Sequence, residues 1–460
     1  MNFKRLARLA SATGLVVAIG AVGSLTNASA REAAAIPGTF RSSIVVANPG
    51  SSTATVSMQF VKSDGTNAMS PVTFTVPANA STTRYVPSIT GLADGRYSVV
   101  IDSDQSVVAI ANLTSDSPST STAYNGIAQA DVGRSFNIPS AYRNYFGYTS
   151  SIIIQNAGTA VANVTLSYRT AAGQVASETR QIPANASSTI DQGATTGLPE
   201  GFIGSAVITS DQDIAAIFLV SASTQLSSGR GARAGATSVS LPVIYHSYYG
   251  YNTNVLVQNV DTTATTVSIA YYDNRTGLSI GSETATIQPG TSATFFQFDT
   301  GRGNAIPRPG FSGSAVVTST DNKNIIAVAN VQHPGQGYLE AYNGFPTSSA
   351  TTRVSCPAIM KNYYNYNTSL TIQNVGSAAT NLTIQYVDAN GTAVASVSVT
   401  GLAANSGHVR YNPNDAIPVG FNGAVVVTSS GAPIIGVVNE LLGGGDVAGD
   451  QLFTYACSNS

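Results

Sequence analysis

The sequence predicts an all-β protein: four antiparallel β-sandwiches in tandem, arranged as an elongated string behind a cleaved leader. Three observations predict it. An aromatic residue, two apolar residues and an asparagine recur at fixed spacing in Phe40–Asn48, Tyr148–Asn156, Tyr251–Asn259 and Tyr366–Asn374, which marks one structural unit repeated four times. Twelve residues beyond each asparagine stands Phe60, Tyr168, Tyr271 or Tyr386, closing a stretch that alternates apolar with Ser or Thr, as in Val164-Thr165-Leu166. A period of two is the pattern of a half-buried antiparallel strand. The composition agrees: the chain is rich in Ser, Thr, Val and Gly, has no Trp, and is only 10% charged but 43% hydrophobic, a balance that suits packed strands better than long helices or disorder.

The leader comes first. Lys4, Arg5 and Arg8 precede an apolar run from Gly14 to Leu25, and Ala28-Ser29-Ala30 supplies the small-x-small pattern cut by signal peptidase. Residues 1–30 are therefore expected to be removed and the remainder exported, to be secreted or held non-covalently at the cell surface. No later stretch has the length and apolarity of a transmembrane helix. A net charge of −2 gives no electrostatic footprint for nucleic acid or for an anionic membrane.

Within each unit the turns follow in order. Ser63-Asp64-Gly65, Ala171-Ala172-Gly173, Asn274 to Gly277 and Ala389-Asn390-Gly391 offer a glycine to a hairpin, and Pro77-Ala-Asn79, Pro183-Ala-Asn185, Pro289-Gly290 or Ala404-Asn405 make a second turn. A closing strand such as Gly310-Phe311-Ser-Gly313-Ser-Ala-Val-Val-Thr-Ser319 then meets, across a polar turn, a buried run such as Ile325 to Val331; the pair reads as a hairpin. The units are set at 31–130, 135–235, 238–350 and 354–460. Propeller blades need only about 40–50 residues, so each unit is large enough for its own core. Short joins near 128–138, 232–240 and 346–356 predict a stiff string.

The first unit is the least complete. Nine residues before Tyr148 stands Pro139, but nine before Phe40 stands Arg31, the expected mature N-terminus, so the lead-in strand is missing. An open sheet edge there can accept a strand, which is a route to self-association through the first repeat, although a trimmed terminal repeat is the commoner reading.

The Tyr-x-x-Tyr openings that lead to Val-x-Val-Gln-Asn, together with the Gly-Phe-x-Gly-Ser-Ala-Val-Val-Thr-Ser closing strand, resemble the tandem immunoglobulin-like repeats of bacterial secreted and surface proteins. The resemblance spans essentially the whole mature chain. It implies Ig-like sandwiches that serve as spacers or adhesive modules and bring no catalytic residues or cofactor.

The residues themselves offer little catalytic chemistry. His246, His333 and His408 fall in different units at different places, and no nucleophile, base and acid recur together, so an enzyme is not expected. Asp102 and Asp104, and Asp211 and Asp213, are paired carboxylates on turns, but they do not recur in the third and fourth units; they read as solvated turn residues, with no metal site. The tyrosines are the recognition candidates. Tyr145 and Tyr148 have counterparts in Tyr248 and Tyr251 and in Tyr363 and Tyr366, spaced by three around a bend. They read either as rings packing on the preceding unit or as a repeated face for sugars or proteins. Cys356 occupies the place of Ile138 and Leu241 on a unit's first strand, and Cys457 that of Gly126 and Gly344 on its last. Export favours a disulfide between them, closing a fourth unit that has no following neighbour to hold its last strand. The expected function is a structural or adhesive scaffold with other surface proteins or extracellular glycans as partners; the alternative is a multivalent glycan-binding protein.

Overall fold

The computed structural model describes residues 39–117, 119–297, 309–443 and 449–459, and the backbone of Leu15–Gly20. It is built almost entirely of antiparallel strands. The third unit shows the plan. One sheet orders Ser279–Ile287, Thr265–Asp273, Phe311–Ser319, Ser238–His246 and Phe345–Pro346; the other orders Ser292–Phe296, Asn252–Asn259, Ile325–His333 and Tyr338–Asn343. The fourth unit repeats this order.

The closing strand and the buried run do not form the expected hairpin. Phe311–Ser319 already pairs on both sides, with Thr265–Asp273 and Ser238–His246, and Ile325–His333 pairs with Asn252–Asn259 and Tyr338–Asn343. Neither has an edge left for the other, so the polar turn is an arch between opposite sheets. In the second unit the arch straightens, and Phe202–Ala222 runs as one strand through both sheets.

The recurring asparagines are fully buried pins. Each Nδ2 donates to a carbonyl in the following turn and to one at the end of the third strand: Ser52 and Val76 for Asn48, Ala160 and Ile182 for Asn156, Thr263 and Ile287 for Asn259, Ala378 and Leu402 for Asn374, which also reaches Ala403. Each Oδ1 accepts a backbone N–H two residues on. One buried side chain thus ties the two sheets together in every unit, and only an amide can donate twice and accept once at that spot. Its aromatic companion is core: Phe60, Tyr168, Tyr271 and Tyr386 are at most 1% exposed.

In the first unit the lead-in slot is filled. Leu15–Gly20 pairs antiparallel with Arg96–Ser103, from Leu15 opposite Ile101 to Gly20 opposite Arg96, and also with Ile127–Ala128. Gly133–Arg143, Ser238–His246 and Arg353–Lys361 hold the same place in the other units. The stretch expected to be leader alone therefore contributes a strand to the fold. Ala28-Ser29-Ala30 and Arg31 to Ile36 lie outside the described residues.

The units do not form an elongated string; they close into a ring. The last strands of the four units, Ser119–Asn125, Gln225–Arg230, Tyr338–Asn343 and Leu452–Ala456, pack each against the next, and the fourth against the first. The hairpin at Gly65 lies against Pro183 and Ala184 of the second unit, that at Gly277 against Ala403 and Ala404 of the fourth, and that at Gly391 against Pro77 and Ala78 of the first. Apolar contact follows the same circle: Ala341 joins the core of the second unit, Leu452 that of the third, and Ala123 that of the fourth. The physical reason is the last strand itself. It is the edge of its sheet, and an edge left open to water has unpaired backbone groups that favour packing against a like edge. With short joins between the units, the four edges meet at one axis.

Candidate functional site: the axis and the aromatic turns

The axis is sealed by two carboxylates. Glu340, fully buried, accepts hydrogen bonds from all four units: Thr122 Oγ1 at 2.8 Å and Ala123 N at 2.8 Å from the first, Ser228 N at 3.4 Å from the second, Ala341 N at 2.9 Å from its own, and Thr454 N at 3.3 Å from the fourth. Asp450 accepts from Leu226 N at 3.0 Å and Leu339 N at 3.1 Å, linking the fourth unit to the second and third. Burial pushes both carboxyls up, Asp450 to about 8 and Glu340 well above the usual range, against the lowering effect of the N–H donors. Two asparagines clamp opposite sides of the ring. Asn125 Nδ2 donates to Ala456 O at 2.8 Å while its Oδ1 accepts Ala456 N at 2.9 Å; Asn343 does the same with Arg230 at 2.7 and 2.8 Å. The Tyr-Asn-Gly triplets at 124–126 and 342–344 are these clamps.

The fourth unit therefore does have a following neighbour: the first. Cys356 and Cys457 are joined by a disulfide with a Cα–Cα distance of 4.4 Å, beside the pairing of Ser355 with Ser458. The bond ties the chain end to the first strand of its unit, whose axial strand the ring already holds.

The tyrosine clusters sit on tight turns between the lead-in and opening strands. Tyr145 and Tyr148 exchange both backbone hydrogen bonds, as do Tyr248 with Tyr251 and Tyr363 with Tyr366. The two residues between them have positive φ: Phe146 51° and Gly147 85°, Tyr249 47° and Gly250 85°, Tyr364 46° and Asn365 69°. That is the pattern of a type I′ turn, which ordinarily carries Asn-Gly. The paired tyrosines are half-buried, whereas the tips Phe146, Tyr249 and Tyr364 are 84%, 82% and 81% exposed.

These turns face the following unit, not the preceding one. The second unit's turn and the third unit's Asn254, Phe296 and Asn330 line a cleft of about 260 Å³. The fourth unit's turn and the first unit's Ser42, Tyr85 and Asn112 line one of about 530 Å³. Tyr248 lines a third, of about 390 Å³, with His408 and Val409 of the fourth unit. Among the described residues the turn acids act locally: Asp104 accepts Thr55 N and Asp211 accepts Asn163 N, tying the arch to the neighbouring strand. His333 meets Tyr251 edge-on with ring centroids 4.8 Å apart, and His408 lies in another unit, half-buried and held below the usual histidine range by desolvation.

Residues 22–136 match a family of unknown function (DUF5719). No curated protein matches the chain. Among solved structures, Thermotoga maritima 1070 is similar at 16% identity over 24% of this chain and 96% of that one, with a TM-score of 0.20. The BSP domain of a biofilm-associated protein is similar at 10% identity over 97% and 96%, with a TM-score of 0.14, and the pilus backbone protein RrgB of Streptococcus pneumoniae at 7% over 76% and 86%, with a TM-score of 0.11. Likenesses this slight assign neither partner nor activity, and the matched names do not include the immunoglobulin-like family that the motifs resemble.

Four acids buried among the described residues escaped the sequence reading: Glu340, Asp415, Glu440 and Asp450. The signal was present. In a chain with 10% charged residues, Glu340 and Glu440 each interrupt a strand whose counterparts carry Thr, Ser, Phe or aliphatic side chains.

Proposed function

We propose that this chain is an exported, non-catalytic scaffold: a stiff ring of four sandwiches that makes its contacts with other surface proteins or extracellular glycans through the aromatic turns. The observation that carries the reading is the set of three exposed tips, each an aromatic ring on a backbone conformation that favours Asn or Gly. Backbone strain of this kind costs about 1–3 kcal/mol and persists where the surroundings enforce it, often at contact sites. A ring whose units follow head to tail sets like turns on one face, so the three tips offer multivalent contact. The half-buried tyrosines beneath them hold the turns in place. The unpaired amide oxygens of Asn112, Asn254 and Asn330 in the adjoining clefts favour the glycan version, because aromatic faces with nearby hydrogen-bonding groups suit sugar rings.

The test is a triple substitution, Phe146→Ser, Tyr249→Ser and Tyr364→Ser, assayed on arrays of extracellular glycans and surface proteins. The expected result is an unchanged melt with binding reduced at least tenfold. Full binding by a correctly folded triple variant would remove the tips from the function.

A further inference from the structure

Among the described residues, Glu440 is the one acid lining the cleft between the fourth and first units. It is 2% exposed, and its one hydrogen bond comes from Asn112 Nδ2 at a long 3.4 Å. Strand register places it opposite Thr368; Val220 stands opposite Ser150 and Val331 opposite Thr253 at the same place in the second and third units. Both counterparts are aliphatic and buried. A carboxylate set where its counterparts carry Val is a cost to folding, since burying it without good partners is unfavourable. The cleft around it repeats the theme. Asn112 Oδ1 and Ser42 Oγ are buried there without a partner, and among the described residues none that line the cleft is basic. Tyr366 and Phe453 pack edge-on with centroids 5.8 Å apart beside these groups, and Tyr85 stands at the mouth, 47% exposed.

The chemistry of the wall selects the ligand. It offers a carboxyl group that a cationic neighbour draws into its ionised form, an amide oxygen as acceptor, a hydroxyl, and aromatic faces, and it offers no cation. A positively charged group with several N–H donors satisfies all of these at once, by charge-assisted hydrogen bonds to Glu440 and by attraction to the tyrosine faces. We infer that this cleft is a binding site for a primary ammonium group, carried by an amino sugar or by a lysine side chain, with Glu440 as its counter-ion. The equivalent cleft between the second and third units, where Val220 replaces the acid, lacks the counter-ion and does not share the specificity. One tip, Tyr364, also lines this cleft, but the inference rests on Glu440 and is tested by replacing Glu440 alone, with all three tips intact.

Calorimetric titration of the whole chain tests it. The probes are Nα-acetyl-lysine amide and glucosamine, each with a neutral control: the Nα,Nε-diacetyl amide and N-acetylglucosamine. At least one charged probe is expected to bind, with its neutral control at least tenfold weaker; which one binds identifies the carrier. Glu440→Val, which restores the residue of the equivalent positions, should keep or raise the melting temperature while weakening the charged probe at least tenfold. Glu440→Gln serves if the valine variant fails to fold. The inference is overturned if neutral and charged probes bind equally, if the Glu440 variants bind as the parent does, or if neither charged probe binds.

Discussion

The axis and the aromatic turns are both made by repetition, yet they look opposite in sequence. At the turns the copies are alike: Tyr145-Phe146-Gly147-Tyr148, Tyr248-Tyr249-Gly250-Tyr251 and Tyr363-Tyr364-Asn365-Tyr366. At the axis they differ. The N–H groups of Gly126, Gly231, Gly344 and Cys457 bond equivalent carbonyls, which makes Thr122, Ser227, Glu340 and Phe453 one position of the repeat. The difference is geometric. Turns on separate units never meet one another, so each copy can keep the same residue. Four last strands converge on one line, where four identical side chains cannot share the space, and a single acid that accepts from every unit is possible only if the other three give way.

That contrast predicts where damage is greatest. Glu340→Ala leaves the N–H groups of Ala123, Ala341, Ser228 and Thr454 and the Thr122 hydroxyl without their common acceptor. A loss of about 3–5 kcal/mol is expected, in the range for breaking a buried polar network. Denaturant unfolding measures it, and small-angle scattering should show the ring loosening. A change below about 1 kcal/mol would mean that apolar packing alone closes the ring.

A second effect comes from the protons on the buried acids. Asp450 and Glu440 sit at about 8 against ordinary values of 3.8 and 4.5, and Glu340 moves the same way, with Asp450 nearby adding to the rise. Carboxyls raised in the folded state hold their protons more tightly than in the unfolded chain. Their contribution is complete below the unfolded values and is lost as pH climbs through the folded ones. The melting temperature should therefore fall from about pH 5 through pH 8 and level off only above the folded values. Glu340→Gln should flatten the slope; a melt that rises with pH over this interval would contradict the buried placement of these groups.

The same contrast explains how much was legible. The strands, the hairpin glycines and the pinning asparagines could be read because period-two patterns and local turn chemistry are properties of short stretches. Thr165 between Val164 and Leu166 announces its face without knowledge of the rest. Ring closure depends on four sheet edges meeting across more than 300 residues, as between Asn125 and Ala456, and no local pattern encodes that. The acids at the centre looked like noise because they break the repeat, while the tyrosine turns were visible because they keep it. The direction in which those turns face, toward the following unit, required the ring.

The first unit offers a smaller break in the symmetry. Its lead-in slot is held by Leu15–Gly20, whereas a chain beginning at Arg31 has no residues to fill it. In such a shortened chain, hydrogen exchange should rise at least tenfold in Arg96–Ile101 and stay unchanged in the matching Phe311–Val317, whose lead-in strand is intact. Equal protection in both would mean that another strand has moved into the slot.

The smallest expected effect has the opposite sign. Phe146 holds a φ of 51° at the first central position of its turn, followed by Gly147 at 85°. Asn-Gly is the pair that such a turn favours, because Asn tolerates the left-handed region that a bulky ring resists. With 84% of Phe146 in solvent, little packing is lost on replacing it. Phe146→Asn should therefore stabilise the protein by up to about 1 kcal/mol, read as a raised denaturant midpoint. The axis should respond oppositely, since every change there removes a partner. If Phe146→Asn destabilises the chain, the ring makes a contact that holds the turn, and the aromatic tip belongs to the architecture. If it stabilises while binding falls, the local rule was set aside for contact, and the tip and the axis serve different ends.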